Sequence, residues 1–131
     1  MGDLRLDYSR ALAELHPGRI VGTFADDVVI TVAVHDAPMA GKDVARFLFA
    51  VLSEELDGFQ VTDELIEADS AVVLFEAKIS GRAAQGLTLV RLNENGHVRE
   101  LTVFIRPLEA LQLIAEVIGA RMAARYGPPP G

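Results

Sequence analysis

Leu4, Tyr8, Ala11, Leu12 and Leu15 recur at helical spacing and form one apolar stripe. His16-Pro17-Gly18 stops that helix, because a proline disfavours a helical residue before it. A short second turn, Pro17 to Phe24, takes proline at its first position. The β-branched run Val28–Val34 predicts a strand buried on at least one face. His35 to Gly41 holds Pro38 and Gly41 and reads as a loop. Val44, Phe47, Leu48, Val51 and Leu52 follow as an amphipathic helix that Asp57-Gly58 ends. Four strands come next, Phe59–Glu67, Ala71–Ile79, Ala83–Leu92 and Val98–Arg106, joined by turn-like segments that include Asn95-Gly96. Pro107 opens a last helix with Leu108, Leu111, Ile114, Ile118 and Met122 on one stripe, and Gly127 closes it.

The order α–(α)–β–α–β–β–β–β–α predicts an α+β fold, a long antiparallel sheet with helices on one face. A strongly curved sheet of this kind makes a cone, and its interior is a natural ligand pocket. Residues 1–127 read as one domain, with 128–131 as a frayed tail.

Composition narrows the function classes. Half of the 131 residues are hydrophobic, which excludes intrinsic disorder. A net charge of −7 with no basic cluster argues against a nucleic-acid partner. Zero cysteine removes thiolate chemistry and Cys-ligated zinc and fits a reducing cytoplasm. The uncharged runs Val28–His35 and Ala83–Val90 have strand length, far short of the ~20 residues of a membrane helix. Three scattered histidines offer no metal-ligand spacing, and Gly81 to Gly86 lacks the lysine of a phosphate loop. The expectation is a soluble cytoplasmic protein with no membrane partner, metal or cofactor.

Four segments, in this order, carry a resemblance: Phe24-Ala25-Asp26-Asp27, Gly41-Lys42-Asp43-Val44, Arg91-Leu92-Asn93-Glu94-Asn95-Gly96 and Thr102-Val103-Phe104-Ile105-Arg106-Pro107-Leu108. The chain resembles the nuclear transport factor 2-like superfamily, which includes ketosteroid isomerases, SnoaL-like polyketide cyclases and limonene epoxide hydrolases. None of the segments is a catalytic signature, so the resemblance implies the cystatin-like cone more firmly than any chemistry. Against the ketosteroid isomerases, Tyr8 stands where their substrate-bonding tyrosine stands. Val32 stands where they carry the general-base aspartate, and Thr88 where they carry a protonated aspartic acid. Valine cannot take a proton, so isomerisation by that route is not expected.

The comparison and strand alternation together give an inward face. Val32 lies on it with Val28, Ile30 and Val34, and Phe75 with Val73, Ala77 and Ile79. Gly86, which leaves room for a ligand or a neighbouring backbone, and Thr88 follow, then Leu101, Val103 and Ile105. Tyr8 joins these as the expected hydrogen-bond donor to a ligand; its plain alternative is an ordinary helix-stripe tyrosine. Thr88 is a second polar contact or a residue chosen for strand propensity. Weaker candidates are His35 and Asp36 at the mouth of the cone, as an acid/base pair, and Arg106, as a carboxylate clamp or a structural ion-pair residue. The outward face mixes Glu76, Gln85, Arg91 and Glu100 with Leu74, Leu87, Leu89 and Phe104, which suggests homodimerisation there.

Two classes of function follow. The first is a binding domain for a small hydrophobic molecule, or a non-catalytic dimerisation domain. The second is an isomerase, cyclase or epoxide hydrolase that uses Tyr8 and a loop base. A carboxylate or imidazole on the inward face would discriminate them, and the expected register puts none there. A slip of one residue would bring Glu76, Glu100 and Arg106 inside.

Overall fold

A computed structural model of the chain describes residues 3–34 and 36–127; His35 and the expected tail 128–131 lie outside the described residues. The first helix, α1 (Asp7–Glu14), has no side-chain cap of its own at Leu6. Its entrance is held by Glu64, whose two carboxylate oxygens accept the amides of Arg5 at 2.7 Å and Leu6 at 3.0 Å. The second helix, α2 (Pro17–Gly22), starts with proline in its first turn, and the His16 imidazole accepts the Arg19 amide at 3.1 Å. His16 is therefore a cap as well as a stop signal.

Strand β1 (Phe24–Thr31) begins four residues before the expected strand and ends three before it, so Phe24-Ala25-Asp26-Asp27 belongs to it. An irregularity between Phe24 and Val29 absorbs the two aspartates, which stay exposed. Val32 to Val34 leave the sheet and turn back to a two-residue strand, β2 (Met39–Ala40), which the sequence pattern did not signal. Helix α3 (Lys42–Glu55) passes straight into β3 (Leu56–Glu67). The Asp57-Gly58 pair, expected to end the helix, lies two residues past that end, inside the strand as a bulge with Gly58 at φ +60°.

Strands β4 (Ser70–Ile79), β5 (Arg82–Leu92) and β6 (Val98–Arg106) complete the sheet, and α4 (Leu108–Tyr126) follows. Ser80 and Gly81 both have positive φ, the condition for the tight turn that fits strand twist between β4 and β5. Asn93 Oδ1 accepts the amides of Asn95 and His97 and shapes the turn between β5 and β6.

The strand order is β2-β1-β6-β5-β4-β3. Every neighbouring pair is antiparallel except β1 with β6, which run parallel, so the sheet is mixed where an antiparallel one was expected. The parallel pair arises because the chain crosses through α3 and three further strands before β6 returns beside β1. The open, six-stranded sheet and the helices on its concave side form the expected α+β cone. Tyr8, Phe24 and Phe49 form an aromatic chain through the core, with ring centroids 6.2 and 5.9 Å apart, tying α1, β1 and α3 together. Arg121 of α4 pairs with Glu54 and Glu55 at the end of α3. On α4 the buried stripe is Ala110, Ile114 and Ile118, and Leu108 is exposed.

Glu64 is also the group through which acid acts on α1. Its partial burial pushes the carboxyl up. The Arg5 and Leu6 amides, the nearby Ser9 hydroxyl and the Arg5 charge outweigh that and hold it below the usual 4.5. The Ser9 hydroxyl itself is buried beside this carboxylate but outside hydrogen-bond geometry. A depressed carboxyl contributes stability above its unfolded pKa and loses it as pH falls through the folded one. Glu64→Ala is expected to cost about 1 kcal/mol at pH 7, from the lost amide contacts. Urea unfolding at several pH values should show the gap to wild type closing as pH falls below the ordinary carboxylate range.

Candidate functional site

The concave side of the sheet encloses a cavity of about 540 Å³. It exists because β6 runs on past the end of β1. The last β1–β6 pair is Thr31 with Thr102, so Val103 and Ile105 pair with β5 on one edge and meet no β1 residue on the other. Alternation turns both side chains inward, and both line the cavity. The opposite wall is α4, where Ala115, Gly119 and Ala123 recur every fourth residue on the lining face. Their small side chains leave the volume unfilled, and a Cβ built on Gly119 would meet nothing within 4 Å.

The lining is apolar. Among the described residues that line it, polar side chains come from Thr88 and Tyr126 alone. Thr88 is 3% exposed and sits at the closed end. Val34 and Tyr126, 36% and 46% exposed, mark the mouth, between the lining residues Ala33, Val34, Ala37 and Pro38 and the end of α4.

The expected inward residues divide into two groups. Val32, Phe75, Thr88, Val103 and Ile105 line the cavity. Tyr8, Gly86 and Leu101 do not, which corrects their expected direct contact with a ligand. Tyr8 is fully buried behind the wall, and its hydroxyl donates to Thr88 Oγ1 at 2.8 Å. Burial pushes its phenol far above the usual range, and the Thr88 bond lowers it only in part, so Tyr8 stays neutral. Gly86 has its space already taken. A Cβ there would lie 2.6 Å from Phe75 Cζ and 2.5 Å from the Phe104 carbonyl oxygen. The glycine lets the Phe75 ring lie over the strand, where it stacks on Phe59 at 5.1 Å. Leu101 is core, 1% exposed, paired between Ile30 and Val90.

The weaker candidates stand apart from the cavity. Arg106 lies on the outward face and donates to Gln85 Oε1, so it clamps no ligand inside. Asp36 is exposed and does not line the cavity. His35 falls outside the described residues. The register holds as expected: Glu76, Glu100 and Arg106 all face outward and are exposed.

The pattern of large apolar residues missed the α4 wall and the mouth. The α4 signal was present as Ala115, Gly119 and Ala123 at four-residue spacing, small residues on a helix otherwise rich in large ones. Tyr126 carried no comparable signal.

Among the described lining residues, Thr88 carries the one polar side chain at the closed end. It accepts from Tyr8, and a hydroxyl has one proton of its own to give. Accepting a bond polarises it as a donor toward an oxygen in the cavity.

No protein-family model matches the sequence, and no curated protein matches it. Solved structures do. An uncharacterised bacterial protein with a cystatin-like fold from Silicibacter pomeroyi superposes with a TM-score of 0.82 at 20% identity, over 88% of this chain and 82% of that one. A steroid delta-isomerase from Pseudomonas aeruginosa superposes at 0.79 and 22% identity, over 95% of this chain and 97% of that one. An NTF-2 like protein of unknown function from Burkholderia xenovorans superposes at 0.62 and 18% identity, over 81% of this chain and 86% of that one.

The buried hydroxyl pair yields a double-mutant test. Tyr8→Phe and Thr88→Val each leave one buried polar partner alone and are expected to cost about 1–3 kcal/mol. The double variant removes both partners and should cost clearly less than the sum, read as coupling in urea unfolding.

Proposed function

We propose that this chain, whose fold is that of the nuclear transport factor 2-like superfamily, binds a small hydrophobic molecule inside its cone. The observation that carries the reading is a cavity of about 540 Å³ whose described lining offers two polar side chains, Thr88 and Tyr126. That size and character suit a small-molecule site, where apolar walls supply affinity and a few polar groups set orientation. In this reading the ligand's apolar body fills the space between β6 and α4, and one neutral oxygen takes the proton of Thr88.

A steroid delta-isomerase shares the fold, and an isomerase, cyclase or epoxide hydrolase is the alternative use of such a cone. Proton abstraction needs a base within reach of the substrate. Val32, which lines the cavity just past the end of β1, stands where the resemblance to the ketosteroid isomerases puts the general base, and Tyr8 reaches the cavity only through Thr88. Both features favour binding over catalysis.

Gly119→Leu separates a used cavity from an idle one. The leucine side chain enters open space in the lining, while the helix gains ~0.5–1 kcal/mol in propensity over glycine. The variant is expected to melt no lower than wild type and to bind the neutral apolar dye Nile red at least ~10-fold more weakly, a loss of about 1.4 kcal/mol. Equal dye binding by the two proteins would count against the cavity as the binding site.

We further infer that a second copy covers the outward sheet face. Leu74, Leu87 and Phe104 form one row across β4, β5 and β6, and Val72, Leu89 and Thr102 form the next. Phe104 is 51% exposed, too large and apolar for an uncovered position in so continuous a patch. The rim carries both signs, Glu76 with Arg106 on one side and Arg91 with Glu100 on the other, so the face can complement a copy of itself. Phe104→Glu is expected to shift the solution mass from twice 14.1 kDa to 14.1 kDa in light scattering. A wild-type protein already at the lower mass would end this reading.

A further inference from the structure

Beside the mouth of the cavity, next in sequence to the lining Tyr126, stands an arginine that is not itself part of the lining. Arg125, in the last turn of α4, places its guanidinium 4.8 Å from the Phe47 ring centroid and 5.5 Å from that of Tyr126. The two rings meet edge to face at 5.8 Å, and Tyr126 itself lines the cavity. Among the described residues Arg125 has no ion-pair partner within 4 Å, whereas Arg121, one turn earlier, is held by Glu54 and Glu55.

Stacking on aromatic faces fixes the plane of a guanidinium and leaves its edge N–H groups free. Those groups form a fork suited to a carboxylate or another planar anion. The cavity beyond is apolar as far as Thr88, so a molecule that fills it and reaches Arg125 has an apolar body and an anionic head. The geometry points to an amphipathic carboxylate as the ligand, tail inside the cone and carboxylate on Arg125 at the mouth. This rests on the cavity reading and adds the chemical class of its occupant. Asp36 lies between the lining residues Val34 and Ala37, and Asp43 lies one helical turn before Phe47, so a cationic head is the competitor to exclude.

The test compares three probes of one chain length, dodecanoate, dodecanol and dodecylammonium, as competitors of Nile red on the intact protein. Dodecanoate is expected to bind about 10-fold more tightly than dodecanol, with the preference shrinking in 1 M NaCl because the contact is exposed. Arg125→Gln should abolish the preference while leaving dodecanol affinity unchanged, and Arg125→Lys, which keeps the charge, should retain part of it. Dodecanol or dodecylammonium binding as tightly as dodecanoate, or a preference that survives Arg125→Gln, overturns the assignment and leaves the cavity reading standing. Failure of all three probes and of Nile red itself overturns both.

Discussion

Where α1 crosses the sheet, the hydroxyls of Tyr8 and Thr88 are buried beyond the reach of bulk water. Each must find a partner in the protein or bear the cost of desolvation. Tyr8 and Thr88, 80 positions apart in the chain, satisfy each other at 2.8 Å. That contact locks α1 onto β5 at one depth and one rotation. It closes the end of the cone, puts the tyrosine behind the wall and leaves the threonine as the polar point inside. The Glu64 carboxylate does related work at the entrance to α1, supplying from β3 the cap that the helix lacks. Together they decide where the first helix sits, and hence where the cavity ends.

The cavity itself follows from an inequality of lengths. β1 stops at Thr31, and β6 continues to Arg106. The part of β6 without a parallel neighbour faces α4 across a gap, and α4 sets Ala115, Gly119 and Ala123 among the larger Ile114, Ile118 and Met122 on that wall, which leaves room between them. A packed interior would fill such a space, since proteins reach crystal-like density elsewhere. Phe75, lying over Gly86 and stacked on Phe59, defines one wall firmly enough that the gap is a shaped pocket and not slack packing.

The two faces of the sheet then take different tasks through alternation alone. Inward residues build the core and the pocket, and outward ones form apolar rows with a mixed-charge rim. The charged residues of these strands stay out of the cavity because β4, β5 and β6 keep their two-residue period in step along the lining stretch, Gln85 to Arg91 against Glu100 to Arg106, and shift register only beyond Arg91.

Element order and the alternation along β4 to β6 could be read from the sequence, because they depend on periodicity and turn chemistry, which are local. Which alternate set faces inward, and the choice of Tyr8 and Thr88 as site residues, came from the resemblance to the ketosteroid isomerases. The extent of β1, the two-residue β2 and the parallel β1–β6 pair could not be read from the sequence, because strand ends are set by which neighbour is present to pair. Nor could the roles of Tyr8, Gly86 and Leu101, all inward and apolar-compatible by pattern. Whether an inward side chain touches a ligand, a neighbouring ring or another hydroxyl is decided by what the opposite wall brings to it. That wall is made of residues dozens of positions away. The sequence by itself determined which strand residues share a face, since that needs only the pleat. The tertiary structure alone decided which of those residues meet empty space, since a cavity belongs to the fit between elements and not to any one of them.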